Sequence, residues 1–112
     1  MKLLLLALCF LLQTPKNSCS EYYEKELYPI SFKGKVTNKE IKDDFYKIEV
    51  TENNGKKISF QLIRNRTGFD LFNFVILDSY ITKNKGEKCI HVLTENKINK
   101  SIEGRIFENF CN

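Results

Sequence analysis

Apolar and polar residues alternate along three segments of the first half of the chain, which is the pattern of half-buried β-strands. In the first segment, Phe32 and Val36 share a face with Gly34, and a glycine inside a strand indicates a bulge or a sharp bend. The three predicted strands are residues 30–37, 45–51 and 57–63.

The link between the second and third strands, Asn53-Asn54-Gly55, predicts a hairpin turn whose length follows from the register. A two-residue turn would place the apolar residues of the two strands on opposite faces. A three-residue loop, with Gly55 in the left-handed conformation, places Val50 opposite Ile58 and brings the apolar sets to one face. Because the buried face fixes the register, we predict the three-residue loop.

The second half of the chain begins with a segment that loses the period of two. Residues 64–77 are rich in Phe and Leu, which predicts a short helix or a turn packed on the core. The last predicted strand carries Ile102, Ile106 and Phe110, with Gly104 inside it. The further predicted strands are residues 79–83, 87–94 and 101–110.

This order of three strands, one short helix and two or three strands resembles a small Greek-key barrel of the OB type. We therefore predict a mainly β chain in which residues 30–112 form a single five- to six-stranded, OB-like barrel with one short helix. The resemblance is one of element order, so an antiparallel meander or a small sandwich also fits the pattern.

The first residues have the pattern of a secretory signal peptide. Lys2 gives a positive start, residues 3–12 form the apolar run LLLLALCFLL, and a polar segment ending in Pro15 interrupts it. Residues 1–18 are therefore predicted to be a signal-peptide helix. A buried N-terminal helix is the alternative, but a run without a polar face does not suit a helix on a domain surface.

Two cleavage sites fit this leader and lead to different attachments. A lipoprotein peptidase would cut before Cys19, whose lipidated thiol would anchor the protein, with residues 19–29 as a spacer. An ordinary signal peptidase would cut after Ser20, since Ser18 and Ser20 form a small-x-small pair. We favour the lipid anchor. The tyrosines of the spacer would lie at the lipid interface or pack on the domain.

Cys89 and Cys111 remain after either cleavage, so a disulfide between them fits an oxidising compartment. Two unpaired thiols are the alternative. Cys89 and His91 would share a strand face, but a metal site needs more than two ligands. We predict no metal, no cofactor and no catalytic residue.

Charge does not indicate a polyanionic partner. The 112 residues include 18 basic and 14 acidic ones, and the net charge falls to +2 without Lys2 and Lys16 of the leader. OB barrels that bind nucleic acid use aromatic residues on the second and third strands, whereas the polar face here carries Lys, Glu, Thr, Ser and Gln. Arg64 and Arg66 either contact a phosphate or are solvated. We predict no nucleic-acid partner.

Short stretches of the chain resemble a group of small lipoproteins of Bacteroidota-type bacteria. In that group a glycine usually precedes the Asp-Ser pair, where this chain has Leu77. The resemblance implies an envelope location and a small OB-like barrel, and it supplies no catalytic residues. The matching stretches are FKGKV at 32–36, DSYITK at 78–83, Lys85-Gly86 and FCN at 110–112.

These observations predict a lipid-anchored cell-envelope protein, on the periplasmic or surface side, that binds another protein or a glycan or serves structurally. Its expected membrane contact is the N-terminal lipid. A soluble secreted or periplasmic binding protein, cut after Ser20, is the alternative. A small envelope enzyme is the third hypothesis, based on the adjacent carboxylates Asp43 and Asp44, although loop neighbours need not point into one cleft.

Overall fold

The structure, a computed structural model, describes residues 18–111, so the predicted signal peptide lies outside this part except for Ser18. Two helices and six strands follow one another along the described residues. They are α1 (Ser18–Glu26), β1 (Phe32–Lys42), β2 (Phe45–Glu52), β3 (Lys57–Ile63), α2 (Arg66–Phe74), β4 (Tyr80–Lys83), β5 (Ile90–Glu95) and β6 (Ile102–Phe107).

The six strands form one antiparallel sheet with the order β3-β2-β1-β4-β5-β6. The prediction of a mainly β fold is therefore confirmed. The predicted barrel is wrong, since β3 and β6 each pair with a single strand and lie at the two edges of the sheet. The described residues also contain two helices where the sequence pattern predicted one.

The β2–β3 hairpin has the predicted register. Val50 lies opposite Ile58, so the apolar residues of both strands share a face. The Glu52 N–H donates to the Lys56 carbonyl at 2.8 Å, which leaves Asn53-Asn54-Gly55 as the three-residue loop. The last residue of the loop has a φ of 88°, in the left-handed region where glycine is favoured.

Strand β1 is longer than the alternation predicted. The predicted strand ends at residue 37, but β1 continues to Lys42 and the chain turns at Asp43, whose φ is 56°. An extra residue on β1, Thr37, forms a bulge opposite β2. After the bulge, the alternation of side chains between the two faces is shifted by one residue. The sequence pattern therefore did not reveal the second half of the strand.

Gly34 allows β1 and β2 to approach each other closely. A Cβ atom at this position would lie 2.3 Å from the carbonyl oxygen of Thr51, so a larger residue does not fit. The irregularity that the sequence suggested at Gly34 lies instead at Thr37, whose hydroxyl donates to a carboxylate oxygen of Glu49 at 2.9 Å.

Helix α1 covers the edge of β3. The Tyr22 hydroxyl donates to the Gln61 carbonyl at 3.0 Å, and the Ile63 N–H donates to the Tyr23 hydroxyl oxygen at 2.7 Å. Both backbone groups lie on the side of β3 that no strand pairs with. Because the helix occupies this edge, the sheet does not continue from β3 towards β6.

Residues 19–29, predicted as a spacer, contribute side chains to the core of the domain in the structure. Tyr23 and Leu27 are 0% and 1% exposed and belong to the same core as the sheet. The Tyr23 ring packs against Phe110, with 5.7 Å between centroids. Burial raises the pKa of Tyr23 to about 12, because the phenolate would lose its water.

The ammonium group of Lys83 joins the segment after α1 to the end of β4. Its Nζ donates to the carbonyl oxygens of Tyr28 and Ile30 at 2.8 Å each and of Asn84 at 3.0 Å. The residue is 1% exposed, and burial lowers the pKa of Lys83. Three carbonyl acceptors match the three donors of the ammonium group, so they replace its water.

The core contains side chains from both helices and all six strands. Phe32 and Phe60 stack in it with 4.8 Å between ring centroids. Strand β6 contributes Phe107 and turns Ile102 and Ile106 outwards, which are 70% and 60% exposed. The buried apolar residues are Tyr23, Leu27, Phe32, Val36, Tyr46, Ile48, Val50, Phe60, Leu62, Leu71, Val75, Ile81, Ile90, Val92, Phe107 and Phe110.

We expect Gly55→Val to lower the free energy of unfolding by about 1–3 kcal/mol, because a β-branched residue is strained at positive φ. Apart from the two neighbouring residues, no atom would lie within 4 Å of the added Cβ, so the expected loss comes from the backbone conformation. Urea unfolding measures the change, and Gly55→Asn is the control that should lose less. Equal stabilities of Gly55→Val and the wild type would contradict the left-handed turn.

Candidate functional site

Cys19 in helix α1 forms a disulfide bond with Cys111, the last residue that the structure describes. Their Cα atoms are 5.7 Å apart, although 92 positions separate them in sequence. Cys89 is free and half-buried. The structure therefore does not form the predicted Cys89–Cys111 pair.

The path of the chain after β6 explains why Cys111 meets Cys19. Asn109 has a φ of 62°, which turns the chain after the strand. Phe110 follows and is fully buried against the Tyr23 ring of α1. This contact places Cys111 beside the helix, whereas Cys89 lies directly before β5.

The sulfur atom of Cys19 can carry only one modification. A lipid thioether needs the same atom that the disulfide uses, so a lipidated chain and the disulfide-bonded domain are two different covalent states. Cleavage after Ser20 would remove Cys19 and with it the bond to Cys111. The state of this sulfur therefore decides both the membrane attachment and the closure of the domain.

The side chain of Asn65 connects α2 to the end of the chain. Its Oδ1 accepts from the Gly68 N–H at 2.9 Å and caps the helix, while its Nδ2 donates to the Phe110 carbonyl at 2.7 Å. The sequence pattern did not select this residue, although an Asn directly before a helix is a capping signal. Asn65 helps to hold the segment that presents Cys111.

Two adjoining clefts, which together we call the hairpin cleft, lie where the α2–β4 loop meets the β5–β6 hairpin. Their volumes are ≈ 340 and ≈ 350 Å³, and both are lined by Ile76, Glu95 and Lys97. The remaining lining residues are Lys35, Leu77, Asp78 and Ser79 in the first cleft, and Thr94, Asn96, Ile98, Ser101 and Glu103 in the second.

The buried hydroxyl of Ser79 fixes the wall of the hairpin cleft. It accepts from the Ile76 N–H at 2.9 Å and forms a hydrogen bond with the Thr94 hydroxyl. Asp78, directly before it, has a φ of 76° and makes the turn of the loop. The Ser79 hydroxyl is thus engaged in holding the loop against β5.

The lining of the hairpin cleft combines exposed apolar side chains with charged ones. Ile76, Leu77 and Ile98 are exposed, and the last of them is 94% accessible to solvent. The charged lining residues are the positive Lys35 and Lys97 and the negative Asp78, Glu95 and Glu103. Exposed apolar side chains beside charged ones are typical of surfaces that bind another macromolecule.

The other residues considered from the sequence do not converge on this cleft. Asp43 and Asp44 are exposed at the β1–β2 turn, where Arg64 donates to the Asp43 carbonyl at 3.2 Å. Arg66 is exposed at the start of α2, and His91 is exposed on β5. Within residues 18–111 no three His, Cys, Asp or Glu side chains are grouped to hold a metal ion.

None of the helices within residues 18–111 has the length and hydropathy needed to cross a bilayer. Comparisons of the chain with family models, curated proteins and solved structures found no match.

We expect Cys19→Ser and Cys111→Ser each to lower the free energy of unfolding by about 4–5 kcal/mol, the loop-entropy value for a bond that closes so long a segment. Reduction of the wild type should have the same effect in denaturant unfolding. Cys89→Ser is the matched control and should change stability little, since its thiol is unpaired. A loss of stability in Cys89→Ser as large as in Cys19→Ser would contradict this pairing.

Proposed function

We propose that the chain is exported and acts outside the cytoplasm as a small, non-enzymatic binding module. The observation that carries the proposal is the bond between Cys19 and Cys111. Disulfides form and persist in oxidising compartments and are rare in the cytosol. The apolar run at residues 3–12 supplies an independent reason for export.

For the attachment we propose the disulfide-bonded state of Cys19 rather than the lipidated state. Helix α1 is built into the core through Tyr23 and Leu27, and this supports a folded N-terminal segment over a spacer. The leader would then be removed upstream of Cys19. Lipidation of Cys19 on an envelope protein is the alternative, and a form cut after Ser20 is the second alternative.

For binding we propose the hairpin cleft as the contact surface for another envelope protein or for a glycan. The exposed side chains of Leu77 and Ile98 would provide apolar contacts, and the charges of both signs would fix the orientation of the partner. A protein partner suits the exposed apolar side chains best. The engaged Ser79 hydroxyl supports a binding role over catalysis by this residue.

Expression of the whole chain in its exporting host, followed by fractionation and intact mass measurement with and without reduction, tests export and attachment together. We expect extracytoplasmic protein that begins upstream of Cys19 or at it and gains two hydrogen masses when Cys19–Cys111 is reduced. Cys89→Ser should show the same gain, and Cys111→Ser should not.

Each other product of that experiment contradicts a defined part of the proposal. Acyl chains on Cys19 would establish the lipid anchor and exclude the disulfide. A chain that begins at Glu21 would establish the alternative cut. Unprocessed chain with free thiols in the cytosol would contradict export itself.

Capture of partners from the envelope of the same host tests the hairpin cleft. The Leu77→Asp/Ile98→Asp variant should lose a partner that the wild type retains, because each substitution replaces an exposed apolar side chain of the cleft lining with a charged one. Ile41→Asp is the matched control, since Ile41 is 57% exposed on β1. A partner retained equally by all three proteins would contradict binding through the cleft.

A further inference from the structure

Strand β6 is an edge strand whose outer backbone groups have no strand partner within residues 18–111. Ser101, directly before β6, accepts a hydrogen bond from the N–H of Asn96, directly after β5. Backbone groups of successive residues alternate between the two sides of a strand. Ile102, Gly104 and Ile106 therefore direct their N–H and C=O groups away from β5, to the open edge.

Exposed apolar side chains accompany this edge. Ile102 and Ile106 are 70% and 60% exposed, and Leu93 on the neighbouring β5 is 52% exposed. Leu93 lies opposite Gly104, and its Cδ2 atom would be 2.9 Å from a Cβ at that position, so the leucine lies over the glycine. The three side chains share the face of the sheet opposite Phe107.

The two edge strands of the sheet differ, because β3 is covered and β6 is open. Proteins normally blunt or cover an edge strand because its free backbone groups pair with other chains. Helix α1 does this for β3 through Tyr22 and Tyr23. Within the described residues, no helix or loop forms such hydrogen bonds with the outer backbone groups of β6.

The sequence of β6 is complementary to itself in the antiparallel direction. With a two-fold axis at Gly104, the order Ile102-Glu103-Gly104-Arg105-Ile106 places isoleucine opposite isoleucine at both ends. The same register places Glu103 of each copy opposite Arg105 of the other. Glu103 and Arg105 are exposed, and neither forms an ion pair within residues 18–111.

Neighbouring registers that keep the same backbone groups paired are disfavoured by charge. An axis at Glu103 would place two glutamates directly opposite each other, and an axis at Arg105 would do the same with two arginines. Like charges directly opposite destabilise an antiparallel pair, and opposite charges stabilise it. The axis at Gly104 is therefore the register in which both charged positions are complementary.

We infer that a second copy of this chain pairs with β6 and forms a two-fold symmetric dimer whose two sheets continue into one another. Ile102, Gly104 and Ile106 supply the backbone hydrogen bonds, and Leu93 of each copy lies beside the axis. The contact is small for a protein interface, so the dimer depends on concentration. The inference does not rest on export or on partner binding in the hairpin cleft, although Glu103 belongs to both surfaces.

Sedimentation velocity over a concentration series up to about 1 mM tests the dimer, with the protein as it is recovered from expression of the whole chain. The wild type should shift from monomer to dimer. Arg105→Glu should raise the dissociation constant about tenfold or more, because it places two pairs of like charges opposite each other. The Glu103→Arg/Arg105→Glu exchange should restore association, since the charges are again complementary.

Two further variants separate the interface from folding. Ile106→Lys should weaken association, while Ile41→Lys, at an exposed apolar position on β1, should not. Thermal unfolding of each variant verifies that it is folded at the temperature used. A wild type that stays monomeric throughout the series would overturn the inference, as would a dimer that Arg105→Glu leaves unchanged or that the charge exchange fails to restore.

Discussion

The attachment of the first helix to the end of the chain organises this fold. Tyr23 is fully buried, accepts the Ile63 N–H through its hydroxyl and packs against Phe110. The covalent bond from Cys19 to Cys111 closes the same contact. One helix therefore covers the edge of β3, fills the core beneath it and fixes the last turn. The sheet remains open because that edge is taken by a helix and not by a strand.

This arrangement has opposite consequences for the two edges. At β3, two tyrosine hydroxyls satisfy backbone groups that water or another chain would otherwise bind. At β6, the outer backbone N–H and C=O groups have no strand partner within residues 18–111, and exposed isoleucines lie beside them. The proposed binding cleft and the inferred dimer contact both involve strand β6, at the edge of the sheet opposite β3. A binding module that leaves one end of its sheet open can contact other chains there.

Local features could be predicted from the sequence, and long-range ones could not. The β2–β3 register followed from alternation and from Gly55, because both act between neighbours in sequence. The bulge at Thr37 broke the alternation and concealed half of β1. Spacing could not identify the partner of Cys111, since that depends on where Phe110 is buried. Alternation also could not decide that β6 buries Phe107 and exposes the isoleucines.

Hydrogen exchange at the amide of Ile63 tests most directly whether the first helix completes the domain. This N–H is on the unpaired side of β3, and its acceptor is the Tyr23 hydroxyl. The account predicts slow exchange in the disulfide-bonded protein and fast exchange in Tyr23→Phe, where the acceptor is missing. Exchange in the wild type at the rate of an unprotected edge amide would show that the N-terminal segment is detached, and it would contradict the account.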